Sequence, residues 1–320
     1  MKSALPLVAD EPTVRDALPA LDIRGALVAM FRALAAQQAV QPAQTLTLLP
    51  NEAGDFITYL GALADEKVFG AKLSPYLPAD GKATITAWTT LMSMETGCPL
   101  MLCDAGLLTT ERTAATTALA VDLLAPRDAA RLAVIGAGAV GLAHLRHAGP
   151  LRTWRSIRVF SPDLFGNAAK RAALGAADPR AQACDSLQAC VEDADVVMLC
   201  TSSGKPVLSK DALTKPALVT SISTNVANAH EIEPAWLPEL DVYCDYRKTT
   251  PSSAGEMTLA ARHGWSPDEI KGDLPALVSD ACAKPTYERS VFFRSIGLGL
   301  EDIAIAHALY RHLSARQSLQ

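Results

Sequence analysis

The 320-residue chain has no run of the ~18 uninterrupted apolar residues that a membrane-spanning helix requires. Its start, MKSALPLVADEPTV, has no long apolar core of the kind a secretory signal carries. Both absences point to a cytoplasmic protein. Basic residues are not in excess: 29 Lys and Arg stand against 34 Asp and Glu, a formal charge of −5. Nucleic acid is therefore a poor partner, because duplex binding needs a clustered basic surface. The seven cysteines (Cys98, Cys103, Cys184, Cys190, Cys200, Cys244 and Cys282) include no CxxC pair, and their odd number and apolar neighbours mark them as reduced core residues. The six histidines show no HExxH or other ligand spacing, so no metal site is expected. No GxSxG elbow signals a serine hydrolase. Repeats, low-complexity tracts and long like-charge blocks are missing as well. What remains is 49% hydrophobic and only 20% charged, the composition of about two packed domains at ~100–200 residues each.

The apolar spacing over residues 20–38 predicts a helix with Leu21, Ile23, Leu27, Met30 and Phe31 on or near one face. From Thr45 to about Cys103, short β-prone runs alternate with NEAGD, PADGK and ETG turns, which reads as a meander of strands. A helix follows in TTERTAATTALAVDLLA, with Thr109 or Thr110 as its cap and Pro126 marking its stop. Thereafter RLAVI, IRVFS, DVVMLCTS, ALVTSIST and DVYCDY alternate with helical stretches, the pattern of a parallel sheet covered on both faces. GLGLEDIAIAHALYRHLSA closes the sequence as an amphipathic helix.

The sharpest motif is Gly136, Gly138 and Gly141, with Ala139 and Val140 between them, after an apolar strand and at the opening of a helix. In that setting the first glycine permits a tight turn, the second lets backbone approach a pyrophosphate, and the third lets the helix pack on the sheet; the helix amides then receive the phosphates. A dinucleotide cofactor is therefore expected. Ser161 and Asp163, after the next strand, are the candidate ribose contacts. Ser161 leaves room for a 2′-phosphate, but Lys170 and Arg171 read as a solvated helix face before they read as phosphate contacts, so NAD and NADP are not separated.

Two cations attract notice for a different reason. Arg112 falls in the first turn of its predicted helix, where the dipole disfavours a cation unless an anion sits between guanidinium and helix amides. Arginine's planar fork suits a carboxylate. Lys72 interrupts the apolar FGAKLSPYL, which implies a buried partner. A surface ion pair is the plain alternative for each.

TTERTAATTALA, the glycine loop followed by Ala143 and His144, VFFRSIGLGLEDIAIA and FGAKLSPY together resemble the ornithine cyclodeaminase and mu-crystallin family, in order and spacing over nearly the whole chain. The resemblance implies an α/β protein with a Rossmann NAD(P)-binding domain at 126–292, an α+β substrate and dimerisation domain at 1–125, and a C-terminal segment, 293–320, returning to the first domain with its helix. It implies a homodimer acting on 2-amino acids or their imines, with Lys72 and Arg112 gripping the substrate carboxylate. Cofactor contacts are expected from Arg112, Thr113, Gly136, Gly138, Ala139, Val140, Gly141, Ser161, Asp163, Thr201, Ser223, Ser295 and Gly297. Two departures matter. Gln44 stands where the ring-closing deaminases have a third carboxylate-binding arginine. Asn225, six residues before Glu231, stands where they have an acid/base aspartate. An amide holds no proton at neutral pH, so the expected activity is NAD(P)H-dependent imine reduction or amino-acid dehydrogenation, with a basic amino acid such as L-arginine as substrate. Asn225 then belongs to the site without that acid/base role. Ornithine cyclodeamination and non-catalytic NAD(P)H binding are the alternatives. Asp55, Asp65, Glu66 and Asp104 are candidate partners for a basic side chain, though acidic turns are their ordinary reading.

Overall fold

A computed structural model describes residues 5–79, 83–222 and 228–317. The chain divides into two compact units, Met1–Arg112 with Leu298–Gln320, and Thr113–Gly297. None of the helices among the described residues is long and apolar enough to cross a membrane.

The first unit is built on an eight-stranded sheet: β1 (Leu7–Ala9), β2 (Ala39–Val40), β3 (Thr45–Leu48), β4 (Asp55–Leu63), β5 (Val68–Leu77), β6 (Thr84–Ile85), β7 (Trp88–Ser93) and β8 (Pro99–Asp104). The main path runs β1-β8-β7-β5-β4-β2, with β3 on β4 and β6 on β5. The expected meander is present; β1 alone joins parallel, to β8. Helix α1 (Glu11–Ala17) is capped by Asp10, and α2 (Ile23–Ala35) by Asp22, whose side chain accepts from Gly25 N. Ile23, Leu27, Met30 and Phe31 form the buried face of α2, joined by Leu34.

In β5, Val68, Gly70 and Lys72 face the core. Opposite them in β4 stand Leu63, Gly61 and Tyr59. Glycine here admits the C-terminal helix (Gly299–Gln317). A Cβ on Gly61 would lie 2.7 Å from Leu300 Cα, and one on Gly299 would lie 2.4 Å from Leu60 O. A Cβ on Gly70 would meet Thr90 O at 2.2 Å and Ile303 Cδ1 at 2.9 Å. Gln41 Oε1 accepts from the backbone N–H of Leu300 at 2.8 Å, satisfying one of the free amides at the helix start.

Helix α3 spans Gly106–Leu124, and the two units part inside it, after Arg112. It begins before the TTER segment. Asp104 Oδ1 accepts from Gly106 N at 2.9 Å, so the side chain two residues upstream does the work expected of Thr109 or Thr110. Those threonines are already helical, and Thr110 Oγ1 donates to Gly106 O. Arg112 accordingly sits in the second turn, away from the free amides.

In the second unit a sheet runs β11-β10-β9-β12-β13-β16-β14-β15, parallel throughout. Its strands are β9 (Arg131–Ile135), β10 (Ser156–Phe160), β11 (Ala181–Ala183), β12 (Val196–Leu199), β13 (Leu218–Ser221), β14 (Asp241–Cys244), β15 (Gly272–Asp273) and β16 (Val291–Arg294). Central strands such as β12 and β13 are buried at every position, as helices on both faces demand. Helices α4 (Ala139–Ala148), α5 (Ala168–Ala177) and α6 (Leu187–Val191) connect the first strands. Strand order reverses between β9 and β12, and ligands of such sheets bind at the strand carboxyl ends beside that point.

Gly61→Val should destabilise the protein by about 1–3 kcal/mol, because the new side chain meets backbone that cannot step aside. Thermal unfolding checks this against Gly175→Ala, where the added Cβ meets nothing within 4 Å and Tm should not fall.

Candidate active site

Each glycine of the loop after β9 has its own physical task. Gly136 adopts φ 113°, and a Cβ there would lie 2.5 Å from Cys200 O. A Cβ on Gly141 would lie 2.1 Å from Gly136 O, so the third glycine lets α4 lie against the turn. Gly138 differs from both: its backbone is extended and a Cβ would meet nothing within 4 Å. That open space lies at the N-terminus of α4, where the amides of Ala139 and Val140 begin the helix with no side-chain cap. A cradle empty of protein atoms and lined by helix amides fits a pyrophosphate. At the end of β10, Ser161 Oγ donates to Asp163 Oδ1 at 3.0 Å, and Lys170 pairs with the other oxygen of Asp163. Those contacts, Lys170 first, hold the exposed Asp163 carboxyl below its ordinary pKa.

The remaining cofactor candidates are organised by two buried carboxylates that the sequence reading passed over. Glu231 Oε1 accepts from Thr201 N at 2.9 Å and Thr201 Oγ1 at 2.7 Å. Its Oε2 accepts from Ser221 Oγ at 2.7 Å and Ile222 N at 3.1 Å. Asp245 Oδ2 accepts from Ser295 Oγ at 3.1 Å, Ile296 N at 2.6 Å and Gly297 N at 3.1 Å. Burial pushes Asp245 above the usual carboxylate range, and these hydrogen bonds oppose it. Glu231 thus ties together the ends of β12 and β13, while Asp245 ties the end of β14 to the segment after β16. Arg294 Nε pairs with Glu256 Oε1 at 2.8 Å, both fully buried, and its Nη1 approaches Ser221 Oγ at 3.3 Å. Glu231 had served only as a spacing landmark in the sequence. The available signal for Asp245 was an acid directly after the apolar run DVYC. Thr113 follows Arg112 in α3. Ser223 and Asn225 lie outside the described residues.

In the first unit, Lys72 and Arg112 are brought together by the C-terminal helix. Lys72 Nζ lies 2.8 Å from Asp302 Oδ2, 3.3 Å from Thr109 Oγ1 and 4.1 Å above the centre of the Tyr59 ring. Arg112 Nε donates to Asp302 Oδ1 at 2.9 Å, and Nη1 donates to Glu301 Oε2 at 3.0 Å. Lys72 is 1% exposed and Arg112 4%. Burial, reinforced by neighbouring Arg112, pushes the Lys72 ammonium down to about 8 against the pull of Asp302 and Glu301. For Arg112 burial also opposes the charge, but Asp302 and Glu301 outweigh it and hold the guanidinium above its ordinary value. Burial raises Tyr59 to about 12.

The partner of Arg112 therefore differs from the one expected at a helix start. Two carboxylates offset it through Nε and Nη1, and among the described residues Nη2 makes no hydrogen bond or ion pair. Gln44 stands one residue before the Thr45–Thr58 pair, level with Tyr59, whose own partner across β4 and β5 is Lys72. Its Oε1 is buried without a hydrogen-bond partner among the described residues. The four candidate acids are scattered. Asp55 opens β4 opposite Leu48, and Asp104 holds the start of α3. Asp65 and Glu66 stand in the turn after β4 and line a cleft of about 580 Å³ with Asp22, His307 and Arg311.

Sheet order and glycine loop define a dinucleotide-binding α/β protein. More particularly, the chain belongs to the ornithine cyclodeaminase/mu-crystallin family, whose model matches residues 8–317. It is 54% identical over 312 residues to the NAD(P)H-dependent anabolic L-arginine dehydrogenase DauB of Pseudomonas aeruginosa, covering 97% of this chain and 98% of that protein. It is 27% identical over 265 residues to the iminosuccinate reductase of Paracoccus denitrificans, covering 80% and 82%. Among solved structures, a probable ornithine cyclodeaminase from Bordetella pertussis superposes with a TM-score of 0.88 at 27% identity, covering 98% of this chain and 99% of that one.

Gly138→Asp should leave Tm nearly unchanged, since the site has room for a side chain and an extended backbone. Its carboxylate would occupy the phosphate space, and NAD(P)H affinity, followed by nicotinamide fluorescence, should fall by about tenfold or more.

Proposed function

We propose that this protein is an NAD(P)H-dependent oxidoreductase that interconverts a 2-imino acid, formed from a 2-oxo acid and ammonia, with an L-amino acid, and that its substrate is L-arginine. The observation that carries this reading is the 54% identity, over 97% of the chain, to an L-arginine dehydrogenase. Bound NAD(P)H supplies the hydride that C2 of the imine accepts. The free Nη2 edge of Arg112 and the Lys72 ammonium are the groups for the substrate carboxylate, and holding it there removes most of the freedom that a bimolecular reaction would lose. Lys72 also holds the proton. Burial lowers its pKa to about 8, close enough to neutrality for Nζ to give up a proton and regain it. Gln44 Oε1 offers an acceptor to a guanidinium donor, a role for which the arginine of the deaminases is unsuited. With Asn225 in place of an aspartate, ring closure lacks its base.

A second copy of the chain is the partner we assign to the outer face of the first sheet. Val8, Leu60, Ala71, Thr90 and Leu102 stand on one rung of that face, Leu73 and Trp88 on a neighbouring one. Leu60, Leu73 and Leu102 are 43%, 46% and 38% exposed. An apolar sheet face of this extent needs cover, and a two-fold axis lets one such surface cover its own copy.

The 2-oxo acid corresponding to arginine, supplied with ammonia and NADPH or NADH, should give L-arginine with one nicotinamide oxidised per product. Proline and ammonia from L-ornithine without net redox would overturn the proposal in favour of cyclodeamination. Cofactor binding without turnover across a panel of 2-oxo acids would overturn it in favour of a carrier.

Reduction needs Lys72 protonated. The reductive kcat/KM should therefore fall as pH rises through about 8, the oxidative one should rise, and Lys72→Met should remove this limb from both profiles. Light scattering at micromolar concentration should give a dimer for the parent chain and a monomer for Leu73→Asp, which places a charge on the apolar face.

A further inference from the structure

Tyr59 and Lys72 are direct partners across β4 and β5, and the next pair on the same core face is Gly61 with Gly70. Those glycines admit the C-terminal helix, so the tyrosine ring and the lysine stem stand beside that contact. Directly opposed side chains on one sheet face lie close enough to touch. Here the ring turns its face to the ammonium, with Nζ 4.1 Å from the ring centre. A cation within ~6 Å of a ring centroid is drawn to the negative face of the ring, most strongly where both are desolvated. Lys72 is 1% exposed and Tyr59 9%, so both are.

The rest of the seat leaves the ring something to do. An ammonium has three N–H donors. Among the described residues that of Lys72 makes one hydrogen bond, to Thr109 Oγ1, long at 3.3 Å. Asp302 Oδ2 lies 2.8 Å away and supplies opposite charge, with Glu301 on the same side of the balance. Arg112 in α3 opposes the charge. Thr89, across from Lys72 on β7, is buried and neutral.

We propose that Tyr59 is a positioning residue, the face of whose ring serves as a ligand of the Lys72 ammonium and favours the charged nitrogen over the neutral amine. The contact holds whatever the substrate is; its bearing on turnover rests on the reading that Lys72 holds the proton for reduction. Burial raises the Tyr59 hydroxyl to about 12, whereas Lys72 titrates at about 8. The attraction is therefore that of a neutral ring, not of a phenolate. Two accounts of the ring then differ in sign. If it only keeps water out, a smaller aliphatic side chain would let water reach Nζ, and the midpoint of Lys72 would rise. If it attracts the cation, the same replacement removes that attraction, and the midpoint falls.

The test reads Lys72 directly, in full-length protein carrying lysine labelled with carbon-13 at Cε, and Lys72→Met identifies the resonance. The parent chain and Tyr59→Phe should titrate with one midpoint, about 8. In Tyr59→Leu the midpoint should fall by about 0.5–1.5 pH units. Pentafluorophenylalanine at position 59 keeps the volume of the ring and withdraws the negative charge from its face, so the midpoint should fall there at least as far, without a cavity and whether or not Tyr59→Leu folds. The alkaline limb of the reductive kcat/KM should move with the resonance. A fall of one unit leaves about a tenth of Lys72 charged at pH 8 instead of about half. A resonance that moves without the limb supports the ring contact and overturns the proton-holding part given to Lys72. The proposal itself is overturned if the fluorinated ring leaves the midpoint where the parent has it, if the midpoint rises in both variants, or if Tyr59→Phe lowers it as far as Tyr59→Leu.

Discussion

The seat of the C-terminal helix on the first sheet governs much of the rest. At Gly61, Gly70 and Gly299 a Cβ would collide with backbone or with Ile303, and without them the helix comes close enough to deliver Glu301 and Asp302 to Lys72 and Arg112. Two cations and two carboxylates are buried together there. Breaking one such pair costs about 3–5 kcal/mol, because its partner is left as an uncompensated charge. The tail of the chain is therefore bound to the sheet by more than apolar contact, and the first unit consists of two segments separated by the whole of the second. An apolar cluster of the same volume would hold the helix at least as well. What it would lack is a buried guanidinium and an ammonium of lowered pKa, the two groups to which the proposed function gives the substrate carboxylate.

In the second unit, buried carboxylates serve as fasteners for loops. Glu231 receives at least four donors and Asp245 at least five, and in each case some of those donors are backbone amides at the carboxyl ends of strands. Such amides have no ladder partner once the strand ends, and a carboxylate satisfies several at once with charge-assisted bonds. Thr201 and Ser295 use their hydroxyls on these carboxylates. What these two hydroxyls fix is the course of the backbone at the strand ends.

How much of this was legible in the sequence depends on how local its cause is. The glycine loop was readable residue by residue, because each glycine answers to a neighbour within the same turn or the adjoining strand end. Lys72 and Arg112 were visible as misplaced charges, but their partners were not, since Asp302 lies 190 residues beyond Arg112 and only the return of the last helix brings it back. The start of α3 was misjudged because threonines are ordinary caps, whereas Asp104 achieves the same from two residues outside the helix. Asp163 was visible as an acid at the expected distance, yet its ties to Lys170 and Ser161 depend on α5 following closely behind. Glu231 and Asp245 gave almost no signal, because an acid that fastens loops looks in sequence like any acid after a strand.

On the proposed reading, the balance of charge around Lys72 also bears on what the site accepts. Two cations already face two carboxylates, so the cluster has no excess positive charge to spend on an anion. At its C1–C2 end, apart from the side-chain guanidinium, a 2-oxo acid brings one uncompensated negative charge into a buried setting, which is costly. The protonated imine of the same acid brings a carboxylate and a positive nitrogen together and leaves the balance at zero. It is also the form whose C2 is electron-poor enough to take a hydride. A neutral, buried, preorganised cluster thereby favours the reactive species over its precursor without a dedicated base, and the favour comes from electrostatic balance set before any substrate arrives.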